Sequence, residues 1–178
     1  MTKRANCLVL AGVVWAVSIS VAVAAGARPV NVTAQNAWVR ATLAGQDSAA
    51  VYMLLSAREP ASLVGIDSPR ARTATLHEMI LDGGIMKMRQ QTRLELPVGK
   101  VVMLKPGGYH IMLTGLKQPL IQGQVVPLRL HFEEGSGGNG NSGHTGVLEV
   151  NVEVRGLTAR VPGAAAAEAG ASAHLHMH

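Results

Sequence analysis

The stretch HEMILDGGIMKM, residues 77–88, combines one histidine with three methionines. A second group, YHIM at residues 109–112, adds His110 and Met112 two positions apart. Thioether sulfur is a poor ligand for Zn²⁺, Mg²⁺ or Ca²⁺, which prefer nitrogen, thiolate or oxygen. Cu(I) is soft and accepts both thioether and imidazole. The residue types therefore indicate a Cu(I) site, provided that the side chains of the two groups converge.

Convergence within the first group depends on a β-hairpin. Asp82-Gly83 is predicted to form its two-residue turn, because Asp-Gly favours the positive φ angles that such turns need. Side chains alternate along a strand, and directly opposed residues project on the same side. In this register His77 faces Met88, Met79 faces Met86, and all four donors share one face, while Glu78, opposite Lys87, lies on the other. A three-residue Asp-Gly-Gly loop is the alternative register, and it would split the cluster.

The same residues also fit a simpler interpretation. Methionine on a strand usually fills gaps in a hydrophobic core, and Met53 and Met103 are predicted to do so. A single histidine on a strand is more often a surface or core residue than a ligand, and His131 and His144 are interpreted in that way. For His77, His110 and their methionines, spacing alone leaves a methionine-rich core and a copper site equally open.

Enzymatic chemistry is not indicated. The sequence shows no nucleophile–base pair and no HExxH motif, and Glu78 faces away from the donor cluster in the predicted register. A blue-copper electron-transfer centre is excluded because that centre is built on a thiolate, and the only cysteine is Cys7. A site of histidine and methionine suits holding and releasing Cu(I), and we expect a protein that is not an enzyme.

The elements that must position these donors read as strands. Short segments rich in Val, Ile, Leu and Thr recur about every ten residues and are separated by Gly, Pro and Asp. Nine strands are predicted, at 36–42, 49–57, 62–67, 74–81, 85–90, 100–105, 109–115, 125–133 and 146–156. One helical turn is expected near 116–120. The pattern predicts an all-β protein, an antiparallel Greek-key β-sandwich.

The N-terminus has the features of a signal peptide. Lys3 and Arg4 precede a long apolar run, and Ala22-Val23-Ala24 fits a signal-peptidase site, so residues 1–24 are expected to be removed. An uncleaved membrane anchor is the alternative, because the run approaches the length of a membrane span. Cleavage would remove Cys7 and two of the 16 basic residues but none of the 11 acidic ones, so the net charge would fall from +5 to +3. The remaining basic residues are scattered, which argues against nucleic-acid binding.

The rest of the chain is divided by composition. Residues 25–161 are expected to form the binding domain, with a flexible Gly-rich loop at 135–146, because that loop offers no side chain able to build a core. Residues 162–178 are predicted to be a disordered tail. The tail ends in HLHMH, and an imidazole-rich end suits Cu(II). His174, His176, Met177 and His178 are therefore candidates for a secondary Cu(II) site.

At the level of motif, the sequence resembles the periplasmic copper chaperones of the PCu(A)C family. The family motif H-x10-M-x21-H-x-M is matched without a gap by His77, Met88, His110 and Met112. The surrounding text GIMKMR and LKPGGYHIMLTGLKQPL is also similar, and the resemblance spans about residues 37–134. It implies a cupredoxin-like fold in which these four residues bind Cu(I). On the facing argument alone, Met79 and Met86 would be outer or alternate donors.

The resemblance also implies a role and partners. A metallochaperone of this family would act in the periplasm and deliver copper to the CuA site of cytochrome c oxidase, beside a Sco-type copper protein. We expect a monomer that does not associate with the membrane after signal cleavage. A periplasmic copper storage or resistance buffer is the first alternative. A secreted structural β-sandwich is the second, and it predicts no bound metal and tolerance of His77→Ala and Met88→Ala.

Overall fold

The computed structural model describes residues 30–135 and 144–159. These residues form ten strands and no helix: β1 (Val32–Arg40), β2 (Ser48–Ala57), β3 (Ala61–Asp67), β4 (Thr73–Asp82), β5 (Ile85–Gln91), β6 (Leu94–Leu96), β7 (Val101–Leu104), β8 (Tyr109–Thr114), β9 (Val125–Glu134) and β10 (His144–Arg155). No helix able to cross a membrane occurs within these two ranges. The whole predicted signal peptide, the whole predicted tail and residues 136–143 of the predicted loop lie outside them.

The all-β prediction is confirmed, with differences in detail. The prediction missed β6, because three residues between Arg93 and Pro97 are too short to show an alternating pattern. The last strand begins at His144, within the segment 135–146 that was assigned to a loop. The helical turn expected at 116–120 is wrong, since those residues form bends and irregular backbone.

All ten strands belong to one curved sheet, in the order β5-β4-β8-β7-β2-β1-β10-β9-β3-β6, with β8 also paired to β2. Neighbouring strands are antiparallel except for β1–β10 and β7–β8, which are parallel. A bridge between Ala57 and Val98 brings the chain after β6 back to the end of β2, so the sheet nearly closes on itself. Its concave side therefore encloses a single core.

Strict alternation shows which side of each strand faces this core. Along β2 every second residue is buried, namely Ala49, Val51, Met53, Leu55 and Ala57. Along β9 the buried apolar residues are Val126, Leu128, Leu130 and Phe132. Full burial of one such Leu or Phe side chain contributes about 1.5–3 kcal/mol. The intervening residues of β2, among them Tyr52 and Leu54, point to the outer surface of the sheet.

A β-bulge in β1 changes which residues of that strand face outward. The register with β2 shifts between Gln35 and Trp38, and Asn36 has a φ of 52°. Asparagine tolerates this left-handed backbone better than most residues. Because of the extra residue, Val39 points into the core, and Trp38 lies opposite Tyr52 on the outer surface. This pair belongs to the wall of the candidate site.

Candidate functional site

The hairpin that carries the first donor group turns at Gly83-Gly84, with φ angles of 61° and 80°, and Asp82 lies opposite Ile85. The predicted Asp82-Gly83 turn is therefore wrong. A two-residue turn with both φ angles positive is most easily formed by glycine at both positions. Asp82 remains in the strand, where its carboxylate is 2.9 Å from Nζ of Lys87.

The Gly83-Gly84 turn changes the cross-strand partners of the donors but not the face of the sheet on which they lie. His77 lies opposite Gln90, and Met79 lies opposite Met88, so the predicted pairs His77–Met88 and Met79–Met86 are wrong. The observed register differs from the predicted one by two residues, and a shift of two leaves every side chain on its original side. His77, Met79, Met86 and Met88 therefore share the outer face of the sheet.

Glu78 lies on the opposite face of the same strand, as predicted. It is paired across the hairpin with Arg89 and not with Lys87. Its carboxylate accepts a hydrogen bond of 2.9 Å from the side-chain amide of Gln91. Glu78 is therefore directed away from the donor face.

Strand β8 brings the second donor group to the first. His110 lies directly opposite His77, and Met112 lies directly opposite Thr75. Directly opposed residues project on one side, so both His110 and Met112 face outward beside His77. Met88 is diagonal to His77 on the other side of β4. All four motif residues thus lie on one face, across three adjacent strands.

The two imidazole rings are stacked, with centroids 5.9 Å apart and an interplanar angle of 26°. Nδ1 of His110 is 3.0 Å from the carbonyl oxygen of Gly108. Nε2 of His77 is 2.8 Å from Oγ1 of Thr75. Nδ1 of His77 is buried and has no hydrogen-bond partner among residues 30–135 and 144–159. Since buried polar atoms are nearly always satisfied, this nitrogen is an orphan that a metal ion would satisfy.

The surroundings of His77 favour its neutral form. Burial lowers the pKa of the His77 imidazole below its usual value, and repulsion from His110 lowers it further. The ring is therefore neutral at neutral pH. A neutral imidazole has a free lone pair, which is the form that binds a metal.

The site is open toward its sulfur side. His110 is 6% exposed, whereas Met88 is 50% and Met86 is 49% exposed. The amide of Met79 donates a hydrogen bond to the carbonyl of Gly108, the residue just before β8. The part of the β4–β5 hairpin beyond Met79 therefore extends past the start of β8. Two fixed imidazoles with accessible thioethers form a donor set that suits a soft ion, and the exposed sulfurs leave room for exchange with an incoming ligand.

Sequence reasoning missed the aromatic wall behind His110. The Tyr52 ring centroid lies 6.5 Å from that of His110, and Trp38 stacks on Tyr52 at 4.9 Å. The guanidinium groups of Arg155 and Arg40 lie over Trp38, at 5.5 and 6.0 Å from its centroid. This wall separates His110 from solvent on the side away from His77. Tyr52 and Trp38 lie 58 and 72 positions before His110, and Arg155 lies 45 positions after it, so no local pattern connects them to the site.

The remaining predicted positions have different surroundings. Met53 is buried, as predicted, but Met103 is 49% exposed, so its assignment to the core is wrong. His131 is 2.6 Å from Asp67, and its hydrogen bond is the main reason why the pKa of that carboxyl is lowered. His144 is 2.9 Å from a carboxylate oxygen of the fully buried Glu134. The tail candidates His174, His176, Met177 and His178 lie outside the described residues.

The amino-acid sequence is similar to those of a known family and of a curated relative. Residues 32–141 match the family described as "Putative lipoprotein LpqE-like". The "Putative lipoprotein Lxx21020" of Leifsonia xyli subsp. xyli is 36% identical over 107 residues, which cover 60% of this chain. The matched region spans 64% of the length of that relative.

Solved structures show the same fold. The copper-bound PCuAC domain from PmoF2 is 23% identical, with a TM-score of 0.54 over 73% of this chain and 97% of that domain. The CuI-DR1885 structure from Deinococcus radiodurans is 31% identical, with a TM-score of 0.51 over 74% of this chain and 81% of that one. These similarities confirm the predicted cupredoxin-like β fold.

Proposed function

The chain belongs to the LpqE-like family, and we propose that it is a copper metallochaperone that binds one Cu(I) through His77, Met88, His110 and Met112. The observation that carries this proposal is the stacked pair of imidazoles, directly opposed across β4 and β8, with one buried nitrogen that no described residue satisfies. The similarity to CuI-DR1885, at 31% identity, supports the same ion.

The proposed mechanism is ligand exchange. The two imidazoles are held by the sheet, and the thioethers of Met88 and Met112 complete the soft donor set. Thiolate is a stronger soft donor than thioether, so transfer to an acceptor with cysteines is downhill. The acceptor would enter beside Met88, whose side chain is half exposed. Met79, directly opposite Met88, and Met86 would serve as alternate donors while the ion leaves.

The proposed acceptor is the CuA site of cytochrome c oxidase, with a Sco-type protein acting beside it. The support for this partner is the motif resemblance together with the donor chemistry. The proposed compartment is the periplasm, since the N-terminus has the features of a signal peptide and the family is described as lipoproteins. Cleavage after Ala24 would release Cys7, the only cysteine, with the signal, so the mature chain would have no cysteine to carry a lipid and would depart in this from the lipoprotein description of its family.

Copper transfer distinguishes a chaperone from a storage buffer. Anaerobic titration of the full chain with Cu(I), against a competing chelator, is expected to give one tight equivalent. Mixing the loaded protein with an apo CuA domain should then move copper to the domain. The matched control is the same domain with its cysteines replaced by serine, which should receive none. Copper that stays on the chaperone in the presence of the intact domain would favour the buffer.

A second test concerns the histidine-rich end. Deleting residues 174–178 is expected to lower the number of Cu(II) ions bound, because it removes three imidazoles and one thioether. The Cu(I) equivalent at His77 and His110 should remain. The measurement is parallel titration of the full and shortened chains with each ion. An unchanged Cu(II) stoichiometry would contradict a copper site in the tail.

A further inference from the structure

Thr75 is a hydrogen-bond partner of the His77 ring. It lies two residues before His77 on the same face of β4, and directly opposite the proposed ligand Met112. Its hydroxyl oxygen is 2.8 Å from Nε2 of His77. Neither the motif nor the donor chemistry assigns this threonine a role.

The protonation of His110 follows from its own partner. A carbonyl oxygen only accepts hydrogen bonds, so Nδ1 of His110, 3.0 Å from the Gly108 carbonyl, carries the ring proton. The lone pair of His110 is then on Nε2. The hydrogen bond made by one ring nitrogen thus selects the nitrogen that is left for a metal.

For His77 the arrangement is the reverse. A hydroxyl can donate or accept, so both neutral forms of the ring could bond to Thr75. In either form Nδ1 has no partner among the described residues. An orphaned buried N–H group is the rarer case in folded proteins, and an N–H group, unlike a bare lone pair, could not bind a cation. A proton on Nε2 instead is donated to Oγ1 of Thr75, and Nδ1 keeps its lone pair.

We propose that Thr75 is a positioning residue for the copper site, which holds His77 in the Nε2–H form and so makes Nδ1 the donor atom. The two imidazoles then use different nitrogens, Nδ1 of His77 and Nε2 of His110. This inference rests on the proposed function for its copper arm, but the choice of tautomer is a property of the metal-free protein. The tautomer of His77 can therefore be tested without copper.

The test uses Thr75→Val, which keeps the shape and strand preference of the side chain but removes the hydroxyl. Thr75→Ser restores the hydroxyl. Thr73→Val is the matched control, because Thr73 lies on the same face of β4, is exposed at the start of the strand, and is opposite Thr114, two register pairs away from the Thr75–Met112 pair. Imidazole ¹H–¹⁵N correlation spectra of the metal-free proteins, at a pH where both rings are neutral, report the tautomers.

In the wild type and in Thr73→Val, His77 is expected in the Nε2–H form and His110 in the Nδ1–H form. In Thr75→Val, His77 should become a mixture of forms, and the Cu(I) affinity should fall about 10–100-fold, the range typical of groups that orient a metal-bound histidine. Thr75→Ser should restore both the spectrum and the affinity.

Three results would overturn the inference: an Nδ1–H form of His77 in the wild type, an unchanged spectrum in Thr75→Val, or a loss of affinity without a change of tautomer. The last would assign the effect to packing. If the wild type bound no Cu(I), the proposed function would fail, while the spectra of the metal-free proteins would still decide the role of Thr75.

Discussion

A His110→Ala variant is expected to lose tight Cu(I) binding. His110 is 6% exposed, and its ring lies between those of His77 and Tyr52. No other described histidine can therefore replace it as a donor. Removing one of the two imidazoles should lower the Cu(I) affinity by more than roughly 100-fold, the upper end of the range for residues that only orient a metal ligand. His77→Ala should behave in the same way. Competition titration with a Cu(I) chelator measures both affinities.

His131→Ala is the matched control for these variants. His131 also lies on a strand, but its imidazole is 2.6 Å from Asp67, and its strand β9 lies between β10 and β3, not beside β4, β5 or β8. Its Cu(I) affinity should equal that of the wild type. Met88→Ala should have a smaller effect than His110→Ala, because Met88 is half exposed and Met79 lies directly opposite it as a substitute donor. Tight Cu(I) binding by His110→Ala with normal folding would eliminate the proposed site.

Replacing Met53 by alanine is expected to destabilise the fold by about 2–5 kcal/mol, the usual range for a buried methionine. Met53 is 2% exposed and packs inside the sheet opposite Leu104. Met103→Ala is the matched control: it is one residue from Leu104 in β7, but its side chain is 49% exposed. Its effect should stay within about 0.5 kcal/mol. Chemical denaturation of the metal-free proteins measures both values.

Both variants should retain the single Cu(I) equivalent, because neither side chain belongs to the donor set. A cost for Met103→Ala equal to that for Met53→Ala would contradict the assignment of β7 faces. The comparison separates the two uses of methionine in this chain. Inside the sheet, as at Met53, methionine fills the core, and on the outer face, as at Met103, it is exposed to solvent.

The predicted strands and the faces of their side chains follow from the sequence because alternation is a local property. Any two residues of one strand that are two positions apart share a side, so His110 and Met112 had to lie together. For the same reason the hairpin donors kept their common face when the turn proved to be Gly83-Gly84, since the register changed by two residues. A change of one residue would have dispersed them.

Alternation does not show which face of a strand is inside. In β7, apolar residues occupy both faces, and only the packing against β2 shows that Leu104 is buried and Met103 is not. The short strand β6 and the parallel pairing of β1 with β10 were likewise absent from the local pattern.

The sequence by itself determined the donor types, their spacing and which donors of one strand share a face. Only the tertiary structure decided that β4 pairs with β8, so that His77 lies opposite His110 across 33 positions of the chain. It also decided that Thr75, Gly108 and Tyr52 surround the two rings. The physical reason is that pairing between distant strands depends on the packing of the whole core and on closing long loops, which no short stretch of residues encodes.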